Sequence, residues 1–146
     1  MAASSEADCL RFRRYWRNFS KWLKQYPSQL TIPSPDDDDP SVVMVAGPSV
    51  VMIGFTHVRE EWMLSATLWL GKDEKHLFKN VELGAERLQR QGARLTSTRT
   101  EDGGWLVRFR HIVSDPFDGA KWPEYFAWHA LRVADLRRLA KEAKAA

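Results

Sequence analysis

The chain has 146 residues, of which 28% are charged and 44% are hydrophobic, and its formal net charge is +3. This size fits one domain with its own core, and the composition excludes wholesale disorder. The single cysteine, Cys9, excludes an intramolecular disulfide and a cysteine-based zinc site, and it favours a reducing, cytoplasmic location. No apolar stretch is long enough to cross a bilayer, so we expect no membrane association. We expect residues 1–8 to form a flexible N-terminus and residues 9–144 to form a single α+β domain.

A first helix is predicted over residues 8–26, because apolar residues recur there at steps of three and four. Pro27 ends it. The apolar stripe consists of Phe12, Tyr15, Trp16, Phe19, Trp22, Leu23 and Tyr26. The opposite face is basic, with Arg11, Arg13, Arg14, Arg17, Lys21 and Lys24. Residues 27–40 follow, with four prolines and the acidic run 36–39, and they are typical of a surface loop.

Five strands and two further helices are predicted next. Short β-branched or alternating runs indicate strands at 42–45, 50–58, 62–70, 94–100 and 105–113. Between the third and fourth strands, a helix is expected to begin at Asp73 as its N-cap and to end at Gly92. A last helix begins near Trp122. Consecutive strands with short turns pair antiparallel, so we expect a mainly antiparallel sheet of about five strands packed with three helices.

The chain contains seven tryptophans, and their positions divide them into two groups. Five lie on predicted inward faces and are explained by core packing: Trp16, Trp22, Trp62, Trp105 and Trp122. Trp69 points opposite to its neighbours on the third strand, and we expect it to pack beneath a second layer of helices, with a contact to a protein partner as the alternative. Trp128 lies off the main stripe of its helix, so it is a candidate contact residue. His57 and His111 are expected to be structural histidines on strands.

The basic face of the first helix is the main candidate binding surface. Arg13, Arg14, Arg17, Lys21 and Lys24 would attract phosphates, and Trp128 is added as an aromatic contact for nucleic acid or a protein partner. The alternative is a solvated face that serves only solubility or pairs with the acidic run.

A nuclease reading depends on two short matches to a metal-binding pattern, Pro35-Asp36 and Asp73-Glu74-Lys75. Their setting does not favour it, since Asp36 falls in the proline-rich loop and Asp73 at a helix start. We therefore expect no catalytic residues, no metal and no cofactor, and enzymatic activity is less expected than binding. A metal-dependent nuclease using Asp36, Asp73 and Lys75 stays an alternative.

Five short segments stand out along the chain: Arg14-Tyr15-Trp16, and residues 64–70, 75–78, 105–110 and 122–128. In type and order they resemble a bacterial family, the domain of unknown function numbered four-two-six-eight, which often follows a restriction-endonuclease-like region. The resemblance implies an α+β domain linked to nucleic-acid processing or phage defence, and it supplies no catalytic residues. The given chain has no upstream nuclease region, which favours a standalone binding or partner protein.

These observations predict a non-enzymatic module that binds DNA, RNA or a nuclease or defence protein through the basic helix face. A further alternative is an inhibitor or subunit acting in phage–host conflict. That alternative predicts a large exposed apolar patch or a dimer.

Overall fold

The computed structural model describes residues 6–25, 30–35, 39–45, 47, 49–90 and 94–145. Its elements are α1 (Glu6–Lys24), β1 (Val42–Val45), β2 (Val50–Val58), β3 (Glu61–Leu70), α2 (Lys75–Arg90), β4 (Leu95–Arg99), β5 (Trp105–Val113) and α3 (Trp122–Ala145). The predicted α+β order of helix, three strands, helix, two strands and helix is confirmed. Among these described residues, no helix combines the length and apolar character needed to span a membrane.

The helix boundaries differ from the predictions in small ways. α1 begins at Glu6, so part of the segment assigned to the N-terminus forms its first turn, while residues 1–5 lie outside the described residues. Asp73 is not the N-cap of α2. It lies inside a 3-10 turn, Lys72–Glu74, in which the Glu74 carboxylate accepts a hydrogen bond from the Gly71 N–H at 3.2 Å. The predicted helix ends at Tyr26 and Gly92 also lie outside the described residues.

The five strands form one antiparallel sheet in the order β1-β2-β3-β5-β4. β2 and β3 are joined by a two-residue turn, in which Arg59 and Glu60 have φ values of 52° and 66°. Both values are left-handed, which is the conformation that matches the twist of a tight hairpin. β4 pairs with the outer side of β5, so β1 and β4 are the two edges of the sheet.

All three helices pack on one side of this sheet, which we call the helix face. α1 reaches it through Phe12, whose ring centroid lies 5.3 Å from that of Phe55. α2 reaches it through Phe78, which stacks on Trp105 at 3.9 Å, and α3 through His129, which lies 5.7 Å from Phe55. The buried strand residues on this face include Val51, Ile53, Phe55, Leu64, Ala66, Leu68, Val107 and Phe109.

The opposite side of the sheet, which we call the open face, carries no described helix. Its strands expose large apolar side chains: Met44 (47%), Val50 (47%), Val58 (47%), Trp69 (43%) and Ile112 (51%). The expectation that Trp69 packs beneath a second layer is therefore wrong, because the three helices share one side. Ser65 and Thr67 point to the same face and are nevertheless buried.

The other tryptophans behave as packing residues. Trp16 and Trp122 are buried, and Trp22, Trp62 and Trp105 are half-buried against the core. Trp128 also packs against the core and keeps part of its surface accessible. The predicted stripe of α1 is confirmed at its buried positions, which are Phe12, Tyr15, Trp16, Phe19 and Leu23.

A buried histidine, His129, joins α1, α3 and β2 at the centre of the core. The Tyr15 hydroxyl donates a hydrogen bond to its Nδ1 at 2.7 Å, and its Nε2 donates to the Gly54 carbonyl at 3.0 Å. Burial lowers the pKa of His129 from 6.5 to about 3, although the Gly54 hydrogen bond opposes that shift. The imidazole is therefore neutral at physiological pH and acts as a structural link.

Candidate nucleic-acid interface

Two adjoining hollows lie where β5 passes β4 and α3. The larger, of about 530 Å³, is lined by Met63, Arg94, Thr96, Arg108, Arg110, His111 and Ile112. The smaller, of about 150 Å³, is lined by Arg94, Phe109, Arg110, His111, Trp128 and Arg132. Arg94, Arg110 and His111 line both hollows, so the two are parts of one region. We call this region the edge site and define it by Arg94, Arg108, Arg110, His111, Trp128 and Arg132.

The alternation of β5 places two arginines on the open face. Val107 and Phe109 point into the core, so Arg108 and Arg110 project on the other side of the strand. Arg108 is held in place because its Nε donates to Thr67 Oγ1 at 3.0 Å. Burial, and after it the positive charge of Arg110, lowers the pKa of Arg108. The second cause shows that the two guanidinium groups are close enough to repel each other.

Helix α3 contributes the other side of the edge site. Arg132 Nη1 donates to Asp135 Oδ2 at 2.9 Å, and the same carboxylate accepts a bond from Arg138 at 3.0 Å. The Arg132 guanidinium also lies 4.6 Å from the ring centroid of Phe109 and 5.8 Å from that of Trp128. These contacts hold Arg132 at the smaller hollow, so this side chain loses little conformational entropy when a ligand binds.

Trp128 and His111 form the aromatic part of the site. Their ring centroids are 6.0 Å apart and their planes differ by 28°. His111 lies on β5 beyond the last residue that β4 pairs, which leaves it exposed at the sheet edge. The site therefore combines four guanidinium groups with two flat rings. No acidic residue is among the described residues that line either hollow.

The predicted basic face of α1 lies elsewhere. Arg14, Arg17, Lys21 and Lys24 are exposed and Arg13 is half-buried, and none of them lines either hollow. None of these side chains is therefore among the residues that line the smaller hollow with Trp128. Most of the acidic run that could neutralise them, Asp36 to Asp38, lies outside the described residues. Binding by the α1 face stays a prediction.

The nuclease alternative gains no geometric support. Asp36 is outside the described residues, and Asp73 and Lys75 are exposed at the start of α2. Within the described part of the chain, no group of three or more His, Cys, Asp and Glu side chains could hold a metal ion. His57 is on a strand as predicted, but it is exposed and stacks on Trp62 at 4.4 Å between centroids.

Sequence reasoning missed the four arginines of the edge site. Arg108 and Arg110 carried a usable signal, because they alternate with Val107 and Phe109 on a strand whose inward face was already assigned. Arg94 and Arg132 carried none, since only the pairing of β4 and the packing of α3 bring them to the same place.

Comparison with protein-family models finds no match for the chain, and comparisons with curated proteins and with solved structures find none either. The resemblance to the family numbered four-two-six-eight therefore stays a prediction. So does a nuclease or phage-defence partner, because it depends on that resemblance alone.

Proposed function

We propose that this protein is a non-enzymatic nucleic-acid-binding module that holds phosphates at the edge site. One observation carries the proposal. Arginines from three separate segments converge on the joined hollows: Arg94 before β4, Arg108 and Arg110 on β5, and Arg132 on α3. No described acidic residue lines either hollow. A concave surface lined by one sign of charge concentrates counter-ions of the opposite sign, and the phosphate backbone of nucleic acid is a dense polyanion.

The side chains fit phosphate in type as well as in charge. A guanidinium group presents planar pairs of N–H donors that match phosphate oxygens, and it stays charged at any physiological pH. Arg108 and Arg132 are already positioned by Thr67 and Asp135. The flat rings of Trp128 and His111 line the smaller hollow together with Arg94, Arg110 and Arg132, where a base can contact them.

Charge reversal tests this proposal directly. We expect Arg94→Glu/Arg110→Glu to reduce the affinity for labelled DNA or RNA oligonucleotides at least tenfold in fluorescence anisotropy. The negative slope of log affinity against log salt concentration should also become shallower by about 1.4 for a single strand, since two phosphate contacts are lost at ~0.7 each. Circular dichroism would show that the fold persists, because both residues are exposed.

The matched control reverses the same charge on α1. Arg14→Glu/Arg17→Glu changes the net charge equally, and both residues are exposed. We expect this variant to bind nearly as well as the wild type. If it loses binding while the edge variant keeps it, the α1 face is the true site and the edge site is not. If the wild type binds no DNA or RNA form, the proposed function is wrong altogether.

A further inference from the structure

The open face is continuous with the edge site. Arg108 and Arg110 belong to both, because they project from β5 on the open side and also line the larger hollow. Met63 and Ile112 line the same hollow and lie side by side on the open face. A ligand held by the edge arginines is therefore in contact with one end of this face.

An exposed tryptophan lies one row further along. Arg108 is paired with Thr67, and the next row on the same side pairs Leu106 with Trp69. Rows on one face of a sheet are two residues apart, which corresponds to roughly 6.6 Å. Trp69 is 43% exposed, and across the sheet it is paired with two apolar residues, Val50 and Leu106. A polymeric ligand that extends from Arg108 towards Trp69 therefore reaches an aromatic side chain one row away.

The charges of the open face are mainly positive, so they would attract phosphate. On the described strands, the charged residues that project to this side are Arg108, Arg110 and Glu61. Glu61 lies at the β2–β3 turn, at the far end of β3 from Trp69. The rest of the face is apolar or carries uncharged hydroxyl groups. Phosphates would therefore lie along Arg108 and Arg110 on β5, and bases would lie on the neighbouring apolar surface.

We infer that the ligand of this surface is single-stranded nucleic acid, with its phosphates along Arg110 and Arg108 and a base stacked on Trp69. This inference rests on the proposed function of the edge site. A duplex keeps its base faces stacked inside, so a base can stack on Trp69 only if the duplex is distorted, whereas the bases of a single strand are free to do so. Unpaired bases can cover aromatic side chains irrespective of sequence, so binding is expected to tolerate many sequences.

The test compares Trp69→Ala with the wild type on a labelled single strand and on a duplex of the same sequence. The variant should bind the single strand roughly tenfold or more weakly, because one stacked base is lost. Duplex binding should be weaker than single-strand binding in the wild type and unchanged by the substitution. Leu83→Ala on α2 is the control, since Leu83 is also an exposed apolar residue (54%) and lies far from the open face.

The outcomes separate the inference from the proposed function. If single strand and duplex bind equally, and only Arg94→Glu/Arg110→Glu weakens them, the edge site is a phosphate site and the inference about single strands is wrong. If the wild type forms a dimer that Trp69→Ala dissociates, and it binds no single strand, the open face is an interface between copies and the inference is also wrong. If the arginine variant and Trp69→Ala both weaken single-strand binding selectively, the inference stands.

Discussion

Acid should weaken this fold through one buried side chain. The imidazole of His129 accepts a hydrogen bond from the Tyr15 hydroxyl and donates one to the Gly54 carbonyl, so the neutral ring satisfies both partners. Protonation would place a second N–H against the Tyr15 oxygen and a positive charge among aromatic rings. Burial therefore lowers the pKa of His129 to about 3 in the folded protein.

The size of the effect follows from the two pKa values. In the unfolded chain His129 would titrate near 6.5, so between pH 6.5 and about 3 only the unfolded state binds the extra proton. Because the folded pKa is the lower one, the contribution to stability is complete above pH 6.5 and is lost as the pH falls. The loss is about 1.4 kcal/mol per pH unit, which gives about 2 kcal/mol at pH 5. A domain of this size is stable by about 5–15 kcal/mol, so the change is measurable.

The loss of stability can be measured by urea unfolding, followed by tryptophan fluorescence, at several pH values between about 7.5 and 5. This range lies above the pH at which most carboxylates titrate. The variant His129→Gln should be less stable at neutral pH but should lose this pH dependence. His76→Gln, at an exposed position on α2, should keep the wild-type slope. A wild-type free energy of unfolding that stays constant down to pH 5, or a full slope in His129→Gln, would refute the reasoning.

Two further predictions concern the backbone. The variant Gly54→Ala should lower the free energy of unfolding by about 1–3 kcal/mol, because its Cβ would collide with the Ser41 carbonyl oxygen and lie 2.8 Å from Val42 Cα. A urea midpoint equal to that of the wild type would show that β1 moves aside freely. The variant Glu60→Gly should raise the free energy of unfolding by about 1 kcal/mol, because Glu60 has a φ of 66° that glycine adopts without strain. A lower midpoint would mean that the Glu60 side chain stabilises the turn.

Local patterns were sufficient for most of the fold. The predicted boundaries of β1, β2 and β5 agree with the structure, because glycine, proline and polar breaks end each apolar run. The apolar stripe of α1 was equally clear, since a helix needs only its own periodicity to define its buried side. The strand boundaries and the apolar stripe of α1 could be predicted because they are determined by residues close together in the sequence.

The remaining features depend on distant contacts. Alternation placed Trp69 on the side opposite Leu68, but whether that side is covered depends on where three helices pack. His129 is buried because Tyr15 and Gly54, both far away in sequence, supply its hydrogen bonds. The edge site requires the pairing of β4 with β5 and the packing of α3. No pattern within one segment contains that information.

The one-sided packing of the helices has a consequence for how this protein can change over generations. Along β3 and β5, residues such as Ala66 and Phe109 are constrained by the core, whereas alternate positions such as Trp69 and Arg110 lie on the open face and are exposed to solvent. A substitution at the second kind of position costs little folding free energy. The open face could therefore acquire a new ligand preference through single substitutions on its strands, while the core on the helix face stays the same.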